Sequence, residues 1–272
     1  MGAWFWLASG FRAWALDYQI QGNIHYGRYP ETVLDIVQPA APSLGGRPGV
    51  IVIHGGGWVE GNKEDMLELL CLPFVRQGMV VANVEYRLAK AAKAPAALND
   101  VLNAAQWFHD HAAEYRVDPK RIIVVGGSAG GHLALMTAMA PASAHFGPST
   151  KIAAVIDFYG IADVPDQLTG AHPEPYAAAW IPEQPGRAEL ARRLSPMTYV
   201  RKGLPPILVL HGDADDTVPY GQSVTLVKAL KTAGDDAELI TVPGGRHGFT
   251  PGQMDQLWPQ IFRWLKKRKL GG

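Results

Sequence analysis

A serine flanked by glycines is the strongest chemical signal in the sequence. Residues 126–131 read Gly-Gly-Ser-Ala-Gly-Gly and place Ser128 at the centre of a G-x-S-x-G motif. The motif follows an apolar run and precedes an apolar segment of helical spacing, which is the context of a nucleophile elbow. Glycine is needed at positions 126 and 130 because the strand and the helix come close enough there for a Cβ atom to clash. The pattern predicts a sharp turn that presents the Ser128 hydroxyl as a nucleophile.

A serine hydroxyl attacks poorly without a base, and the base needs an acid to orient it. The chain order expected for this elbow is serine, then Asp or Glu, then histidine. His247 fits the base best, because it lies after the last predicted strand in a glycine-rich loop. The acid is expected after the apolar run 207–210, where the residue types alone leave the choice open. Three carboxylates compete there: Asp213, Asp215 and Asp216.

Acyl transfer builds negative charge on a carbonyl oxygen, and fixed N–H donors are needed to stabilise it. Residues 54–58 read His-Gly-Gly-Gly-Trp and follow the apolar run 50–53. Backbone without side chains lets N–H groups converge on one point, and this motif acts together with the amide of the residue after the nucleophile, here Ala129. A phosphate-binding loop is the alternative, but the sequence lacks G-x-x-x-x-G-K-[ST] and lacks a helix-opening G-x-G-x-x-G.

Seven apolar runs of strand length recur along the chain, and most are rich in Val and Ile. Near-continuous apolar runs are typical of strands covered on both faces, as in a parallel sheet. Segments of helical spacing alternate with them, which predicts a single α/β domain over residues 1–272 with a mostly parallel central sheet flanked by helices. The predicted strands are 33–37, 50–53, 79–84, 122–125, 153–158, 207–210 and 238–242, and the predicted helices are 65–75, 96–115, 133–140, 224–233 and 254–267.

One stretch interrupts this alternation. Residues 163–200 contain six prolines and show little periodicity. A connection of this length is often a functional lid. We therefore expect a lid or cap insertion over the C-terminal edge of the sheet, and the alternative is a surface excursion without a role.

The composition excludes several classes of function. The chain has 272 residues, and 25 Lys plus Arg balance 25 Asp plus Glu. A formal net charge of zero argues against nucleic-acid binding, which usually leaves a basic footprint. The single cysteine, Cys71, excludes an internal disulfide and a cysteine-based metal cluster. His109 and His111 lie two residues apart on a predicted helix and point in different directions. No metal and no cofactor are predicted.

The N-terminal segment, residues 1–16, is unusually aromatic, with tryptophan at positions 4, 6 and 14. No apolar stretch reaches the roughly 18 residues that a membrane span needs. Residues 3–11 have the character of a short signal-peptide core, but no basic residue precedes them and Arg12 follows them. A cytoplasmic location is therefore favoured, and a secreted or periplasmic one is expected if residues 1–15 are a signal segment. The sequence does not indicate an oligomeric state.

Taken together, these motifs resemble those of α/β-hydrolases of the esterase and lipase type. The similarity is to small carboxylesterases with a His-Gly-Gly-Gly-Trp motif, including acetylxylan and feruloyl esterases, which are related to the hormone-sensitive-lipase family. It extends from about residue 35 to residue 265 and includes Glu-Tyr-Arg-Leu at 85–88 and Leu-Ser-Pro at 194–196. Two departures, the 53 residues before His54 and Gly-Gly-Ser in place of Gly-Asp-Ser at the elbow, favour a smaller and more open esterase.

The resemblance also assigns roles to individual residues. The family's H-G-x-x-D-x-x-V-P motif, laid on residues 211–219, selects Asp215 as the acid. The family's His-Gly-Phe motif selects His247 as the base. In the glycine triplet, the resemblance implies that the amides of Gly56 and Gly57 bind the oxyanion.

The activity implied is that of a serine carboxylesterase acting on a small-molecule ester, with a short- to medium-chain acyl group or an aryl or carbohydrate moiety. Hydrolysis proceeds through an acyl-enzyme without a cofactor. Trp58 and Tyr159 follow strands at the cleft edge and are expected to form pocket walls, with simple packing as the alternative. Amide hydrolysis, as in aryl-formamide hydrolases or peptidases, is the second interpretation. A non-catalytic receptor or adhesion module is the third, and the presence of all three triad residues disfavours it.

Overall fold

The fold is described from a computed structural model, which covers residues 17–43 and 45–272. The predicted aromatic segment 1–16 lies outside the described residues. A single sheet contains all eight strands of the described ranges. These strands are β1 (Tyr18–His25), β2 (Val33–Pro39), β3 (Arg47–Ile53), β4 (Val80–Val84), β5 (Val117–Gly127), β6 (Ala154–Phe158), β7 (Ile207–Gly212) and β8 (Ala237–Val242).

The sheet is mostly parallel, and its spatial order is β1-β2-β4-β3-β5-β6-β7-β8. Only β1 and β2 pair in antiparallel fashion, β1 with β2 and β2 with β4. Every pairing from β4 across to β8 is parallel. The carboxyl ends of β3, β5, β6, β7 and β8 therefore meet along one edge, where loops that follow different strands come together.

Helices cover both faces of the sheet. A π-helical turn (Leu67–Cys71) continues directly into α1. The helices are α1 (Leu72–Arg76), α2 (Ala96–Asp110), α3 (Ala129–Met139), α4 (Val164–Thr169), α5 (Pro175–Trp180), α6 (Arg187–Arg193), α7 (Tyr220–Ala233) and α8 (Pro251–Lys267). Short 3-10 turns span Lys63–Asp65, Ala142–Ala144 and Pro196–Tyr199.

Each face of the sheet has its own hydrophobic cluster. On one face, α2, α3 and α7 pack over side chains such as Ile51, Val124 and Val209, which are fully buried. On the other face, α1 and α8 pack over Val52 and Val125, which are equally buried. Because side chains alternate along each strand, the Val- and Ile-rich runs supply both clusters at once. The predicted α/β fold with helices on a mostly parallel sheet is confirmed.

The structure differs from the sequence prediction in a few elements. β1 was not predicted, since most of its residues are exposed at the edge of the sheet and show no apolar pattern. The helix predicted over 65–75 is divided into the 3-10 turn, the π-helical turn and α1. The stretch 163–200, which lacks periodicity in sequence, contains the three short helices α4, α5 and α6 between β6 and β7.

Candidate active site

Ser128 lies at the sharp junction between β5 and α3. Its backbone has φ of 57° and ψ of −123°, a conformation that residues with side chains seldom adopt. The glycines around it are required by close contacts. A Cβ atom on Gly126 would lie 2.3 Å from the carbonyl oxygen of Gly130, and one on Gly130 would lie 2.2 Å from the carbonyl oxygen of Ile53. The Ser128 amide donates to the carbonyl of Phe158 at 2.9 Å, which ties the turn to the next strand.

A continuous chain of hydrogen bonds runs from this serine to a carboxylate. The Nε2 atom of His247 lies 2.9 Å from the Oγ atom of Ser128. The Nδ1 atom of the same ring lies 2.8 Å from the Oδ2 atom of Asp215. Since a carboxylate accepts, Nδ1 carries the hydrogen and Nε2 is left as the acceptor for the serine hydroxyl. This is the tautomer that a general base needs.

The side chain of Asp215 is fully buried and accepts four hydrogen bonds. Its Oδ1 atom accepts from the amides of Thr217 and Val218, both at 2.9 Å. Its Oδ2 atom accepts from His247 and from Nε2 of His211, the latter at 3.1 Å. Burial alone would raise the pKa of this carboxyl, but the hydrogen bonds from the two histidines outweigh it and hold the pKa well below its usual range. Asp215 is therefore ionised across the neutral pH range.

The two competing carboxylates of the same loop have other contacts. Asp213 is exposed and accepts from the amide of Gly244 at 2.6 Å. Asp216 is exposed and forms an ion pair with Arg246. Of the three carboxylates that sequence reasoning left open, only Asp215 contacts His247.

His211 was not predicted to take part in the site. It ends β7 fully buried, with Nδ1 2.6 Å from the Oγ of Ser223 and Nε2 close to both Asp215 and the carbonyl of Val218. The Ser223 hydroxyl donates to Nδ1 of His211, and Nε2 of His211 donates to the Asp215 carboxylate. The His-Gly-x-x-Asp motif contains this residue, so its spacing of four from Asp215 was the signal that could have identified it.

The glycine loop after β3 lies against the opposite side of the elbow. Gly56 and Gly57 have φ of 101° and 57°, which favours glycine at both positions. A Cβ atom on Gly56 would lie 2.1 Å from the carbonyl oxygen of Glu60. No described residue accepts a hydrogen bond from either amide. The amide of Ala129 opens α3 and has no partner within the helix.

A buried polar network holds this loop from behind. His54 is almost fully buried, and its Nδ1 atom lies 2.8 Å from the carbonyl oxygen of Gly55. Its Nε2 atom lies 3.1 Å from Oε1 of Glu85, whose other oxygen accepts from the amide of Lys63 at 3.0 Å. The ring of Tyr86 stacks on His54 at 4.1 Å. Because the Gly55 carbonyl is fixed, the orientation of the following peptide, which carries the amide of Gly56, is fixed too.

A cavity of about 410 Å³ opens above the serine. Ser128 and His247 both line it. Its walls are mainly apolar, and the described lining contains one carboxylate, that of Glu60, and no lysine or arginine. The apolar and aromatic lining side chains are Val59, Met66, Leu69, Leu70, Phe158, Tyr159, Tyr176, Phe249 and Met254. Such a space fits an uncharged organic group.

The two predicted pocket walls have different positions. Tyr159 lines the cavity, as expected. Trp58 does not, and the expectation that it forms a pocket wall is wrong. Its ring is fully buried, stacks on Trp180 at 4.1 Å, and donates from Nε1 to Nδ1 of His132 at 3.3 Å. Because Trp58 itself adopts a left-handed backbone with φ of 61°, its side chain turns inward, away from the cavity.

Tyr176 was missed as a cavity residue. It lies on α5 within the insertion, and a Cβ atom on Gly57 would come within 2.7 Å of it. No pattern in the sequence connects position 176 with the glycine loop, since only the folding of the insertion brings them together.

The described ranges contain neither a cluster of metal-ligating side chains nor a membrane-spanning helix. No group of three or more His, Cys, Asp or Glu side chains there is arranged to hold a metal ion. None of the described helices combines the length and the apolar character that crossing a bilayer requires.

Several known proteins are similar to this chain in sequence. The BD-FAE family model matches residues 34–230, well over half of the chain. The chain is 32% identical over 245 residues to a probable carboxylic ester hydrolase, LipM, of Mycobacterium tuberculosis, covering 86% of this chain and 57% of that protein. It is 30% identical over 236 residues to the esterase LipQ of the same organism, covering 80% and 54%. The chain thus spans little more than half the length of these curated relatives.

Several solved structures of similar fold are esterases. A truncated carbohydrate esterase from gut microbiota superposes with a TM-score of 0.82 at 28% identity, covering 93% of this chain and 98% of that one. An esterase of Thermogutta terrifontis with butyrate bound superposes with a TM-score of 0.77 at 27% identity, covering 94% and 96%. These matches confirm the expected α/β-hydrolase fold. The chain therefore belongs to the BD-FAE family, which is a family of α/β-hydrolase esterases.

Proposed function

We propose that this protein is a serine carboxylesterase that uses Ser128, His247 and Asp215 as its catalytic triad. The observation that carries the proposal is the unbroken chain of two hydrogen bonds, 2.9 Å from serine to histidine and 2.8 Å from histidine to aspartate. The esterase names of the relatives support the same reaction class. Proteins of this kind use the triad to activate a hydroxyl that would otherwise be a weak nucleophile.

In the first step, the Oγ atom of Ser128 attacks the carbonyl carbon of the ester, and Nε2 of His247 takes the hydroxyl proton. The ionised Asp215 stabilises the imidazolium that forms. The charge on the carbonyl oxygen is stabilised by the amides of Gly56, Gly57 and Ala129. The C–O bond to the alcohol then breaks, and His247 gives its proton to the departing alcohol oxygen.

In the second step, water attacks the acyl-enzyme. His247 again takes a proton, now from water, and the same three amides stabilise the second tetrahedral intermediate. The acid is released, and Ser128 recovers its proton from His247. No cofactor enters either step.

The cavity supports a proposal about the substrate class. An apolar lining without lysine or arginine favours an uncharged ester, and a volume of about 410 Å³ accommodates a short- to medium-chain acyl group or an aryl group. The butyrate bound to the Thermogutta esterase is a short acyl group of this kind. The gut carbohydrate esterase supports sugar esters as a further class for the alcohol portion.

The insertion 163–200 is proposed to act as a lid or cap on this cavity. Tyr176 extends from α5 to line the cavity, and its hydroxyl is bonded to Gln167 of α4. The Nε2 atom of Gln167 donates to the carbonyl of Thr217, which also lines the cavity, at 3.1 Å. The insertion is thus linked to the loop that carries the catalytic acid.

Replacing the nucleophile tests the proposal most directly. We expect Ser128→Ala to lower kcat on p-nitrophenyl butyrate by about 10⁶-fold, because nucleophile and base act as a unit. A mechanism-based phosphonate should label the wild-type protein at Ser128 and leave the variant unlabelled. Retained turnover by a folded Ser128→Ala protein would overturn the assignment. Parallel rates on matched ester, formamide and peptide substrates separate esterase from amidase activity.

A further inference from the structure

Tyr159 has an unusual backbone beside the nucleophile. It directly follows β6 and adopts φ of 43°, in the left-handed region that residues other than glycine seldom adopt. Its amide donates to the carbonyl of Leu210 at 2.8 Å, so the backbone is anchored to β7. A residue held in such a conformation by its surroundings indicates a position where the direction of the side chain matters.

The hydroxyl of Tyr159 is free toward the cavity. No described residue forms a hydrogen bond with it, although the residue lines the cavity. A Cβ atom on Gly127 would lie 3.4 Å from this oxygen, so the hydroxyl lies over the backbone just before the nucleophile. The ring packs edge-on against His247 at 4.8 Å and Phe249 at 5.1 Å. Tyr176, across the same cavity, has its hydroxyl bonded to Gln167.

The strand order places Tyr159 and the glycine loop on opposite sides of the nucleophile strand β5. The glycine loop follows β3, on one side of β5, while Tyr159 follows β6 on the other side. The catalytic base follows β8 and lies on the same side as Tyr159. Since the oxyanion is bound on the β3 side, a donor on the β6 side faces another oxygen of the ester. The leaving oxygen must lie within reach of His247, which protonates it.

We propose that the Tyr159 hydroxyl donates a hydrogen bond to the leaving-group oxygen of the ester while the C–O bond breaks. The proposal rests on the esterase function proposed above. The electron pair of the broken bond stays on the leaving oxygen, and His247 supplies the proton that neutralises it. Tyr159 keeps its own proton and contributes only a hydrogen bond, which strengthens as negative charge develops.

The protonation state of the tyrosine supports this role. Burial raises the pKa of Tyr159 to about 12, and the negative charges of Asp215 and Asp157 act in the same direction. The hydroxyl therefore remains a donor throughout the neutral and mildly alkaline pH range.

This donor narrows the substrate class. An alkoxide leaving group, such as that of an aliphatic alcohol or a sugar hydroxyl, concentrates its charge on one oxygen. A p-nitrophenoxide spreads the charge over its ring and needs little assistance. Tyr159 therefore favours esters of aliphatic alcohols, including sugar hydroxyls, over esters of activated phenols.

The experiment compares Tyr159→Phe with Tyr176→Phe, which loses a hydroxyl from the same cavity. Both are assayed as kcat/KM on p-nitrophenyl, phenyl, trifluoroethyl and ethyl acetates, which share the acyl group and differ in the leaving group. For Tyr159→Phe we expect a loss of about threefold or less on p-nitrophenyl acetate, rising to about tenfold or more on ethyl acetate. Any effect of Tyr176→Phe should be the same for all four esters.

A uniform loss across the series, or no loss, in a folded Tyr159→Phe protein would overturn the proposal. Melting temperatures of both variants establish that they are folded. The wild-type rates distinguish this result from failure of the esterase proposal. The esterase proposal fails if the wild type and Ser128→Ala turn over the esters equally.

Discussion

The two sides of Ser128 are built from different parts of the polypeptide. On the β3 side, the groups proposed to bind the oxyanion are the backbone amides of Gly56 and Gly57, and the His54 side chain contacts the loop that carries them. On the β7–β8 side, the groups proposed to act are the side chains of Asp215 and His247, and backbone amides hold the carboxylate. One side depends on the absence of Cβ atoms, and the other on the identity of a few polar atoms.

The difference predicts how each side fails. The β3 side should be damaged by adding atoms, because its backbone is packed against its neighbours too closely to admit a side chain. The β7–β8 side should be damaged by removing or exchanging atoms. A side chain of the same shape fits there, but activity is lost if it changes the charge or the position of the hydrogen on His247. Isosteric substitutions therefore test one side, and the smallest side-chain addition tests the other.

Among substitutions that compare the two sides, the largest effect is expected from Asp215→Asn. The amide has the shape of the carboxylate but no charge, and it can hold the His247 ring in the wrong tautomer. We expect kcat to fall by about 10⁴-fold with the fold intact. Steady-state kinetics on a p-nitrophenyl ester at pH 7 measures this loss. Asp216→Asn is the matched control, since that exposed carboxylate pairs only with Arg246, and its rate should stay within about twofold of wild type. Equal losses in both variants would contradict the assignment of the acid.

A smaller loss is expected from Gly56→Ala. The new Cβ atom would lie 2.1 Å from the carbonyl oxygen of Glu60, and the residue would keep a left-handed φ of 101°. The loop must shift, so we expect kcat to fall by about 10²–10³-fold, the usual cost of losing an oxyanion donor. Gly221→Ala is the control, because a Cβ atom at Gly221 meets no atom within 4 Å. If both glycine variants kept wild-type kcat, the β3 loop would not be the oxyanion hole.

The smallest effect is expected from Asp157→Asn on β6, and it concerns the free energy of unfolding and not the rate. Asp157 lies on β6 and is fully buried. Its Oδ1 atom accepts a hydrogen bond from the amide of Gly160 at 2.9 Å. No described residue bonds to its Oδ2 atom. Burial raises the pKa of this carboxyl from 3.8 to about 7. The native state therefore holds a proton that the unfolded state releases.

The sign of the pH effect follows from this difference. Between about pH 4 and pH 7 the native state binds more protons at this group, so its contribution to stability falls as the pH rises and is lost above the native pKa. Asp157→Asn has no such proton. Relative to the variant, wild type should lose stability on the order of 2 kcal/mol between pH 5 and pH 8. Urea unfolding of both proteins at the two pH values measures this. A constant difference would show that Asp157 does not titrate there.

Much of the fold was predictable from local patterns. All seven predicted strands occur in the sheet, because strands buried on both faces need near-continuous apolar runs. β1 escaped prediction for the opposite reason, since an exposed edge strand leaves no apolar pattern. The three helices of the insertion 163–200 also escaped prediction, because they have only six or seven residues each and depend on tertiary packing.

The residues of the site were predictable to different degrees. Ser128 and the glycines around it follow from the elbow motif, whose spacing is a local requirement of the turn. Asp215 was separated from its neighbours only by family resemblance, since Asp213 and Asp216 lie on the same loop with the same chemistry. Trp58 was misjudged, because the direction of its side chain depends on a left-handed backbone that the sequence does not display.

Local sequence patterns specify seven of the eight strands, the elbow and the glycine loop, since each depends on residues that are neighbours in the chain. The packing of distant segments sets which carboxylate contacts His247, places His211 beside that carboxylate, and brings the hydroxyl of Tyr159, unpaired among the described residues, and the bonded hydroxyl of Tyr176 to residues that line one cavity. The contact between Ser128 and His247 likewise joins residues that are 119 positions apart in the chain. These contacts exist because parallel strands bring their carboxyl ends to one edge, and sequence spacing does not contain that distance.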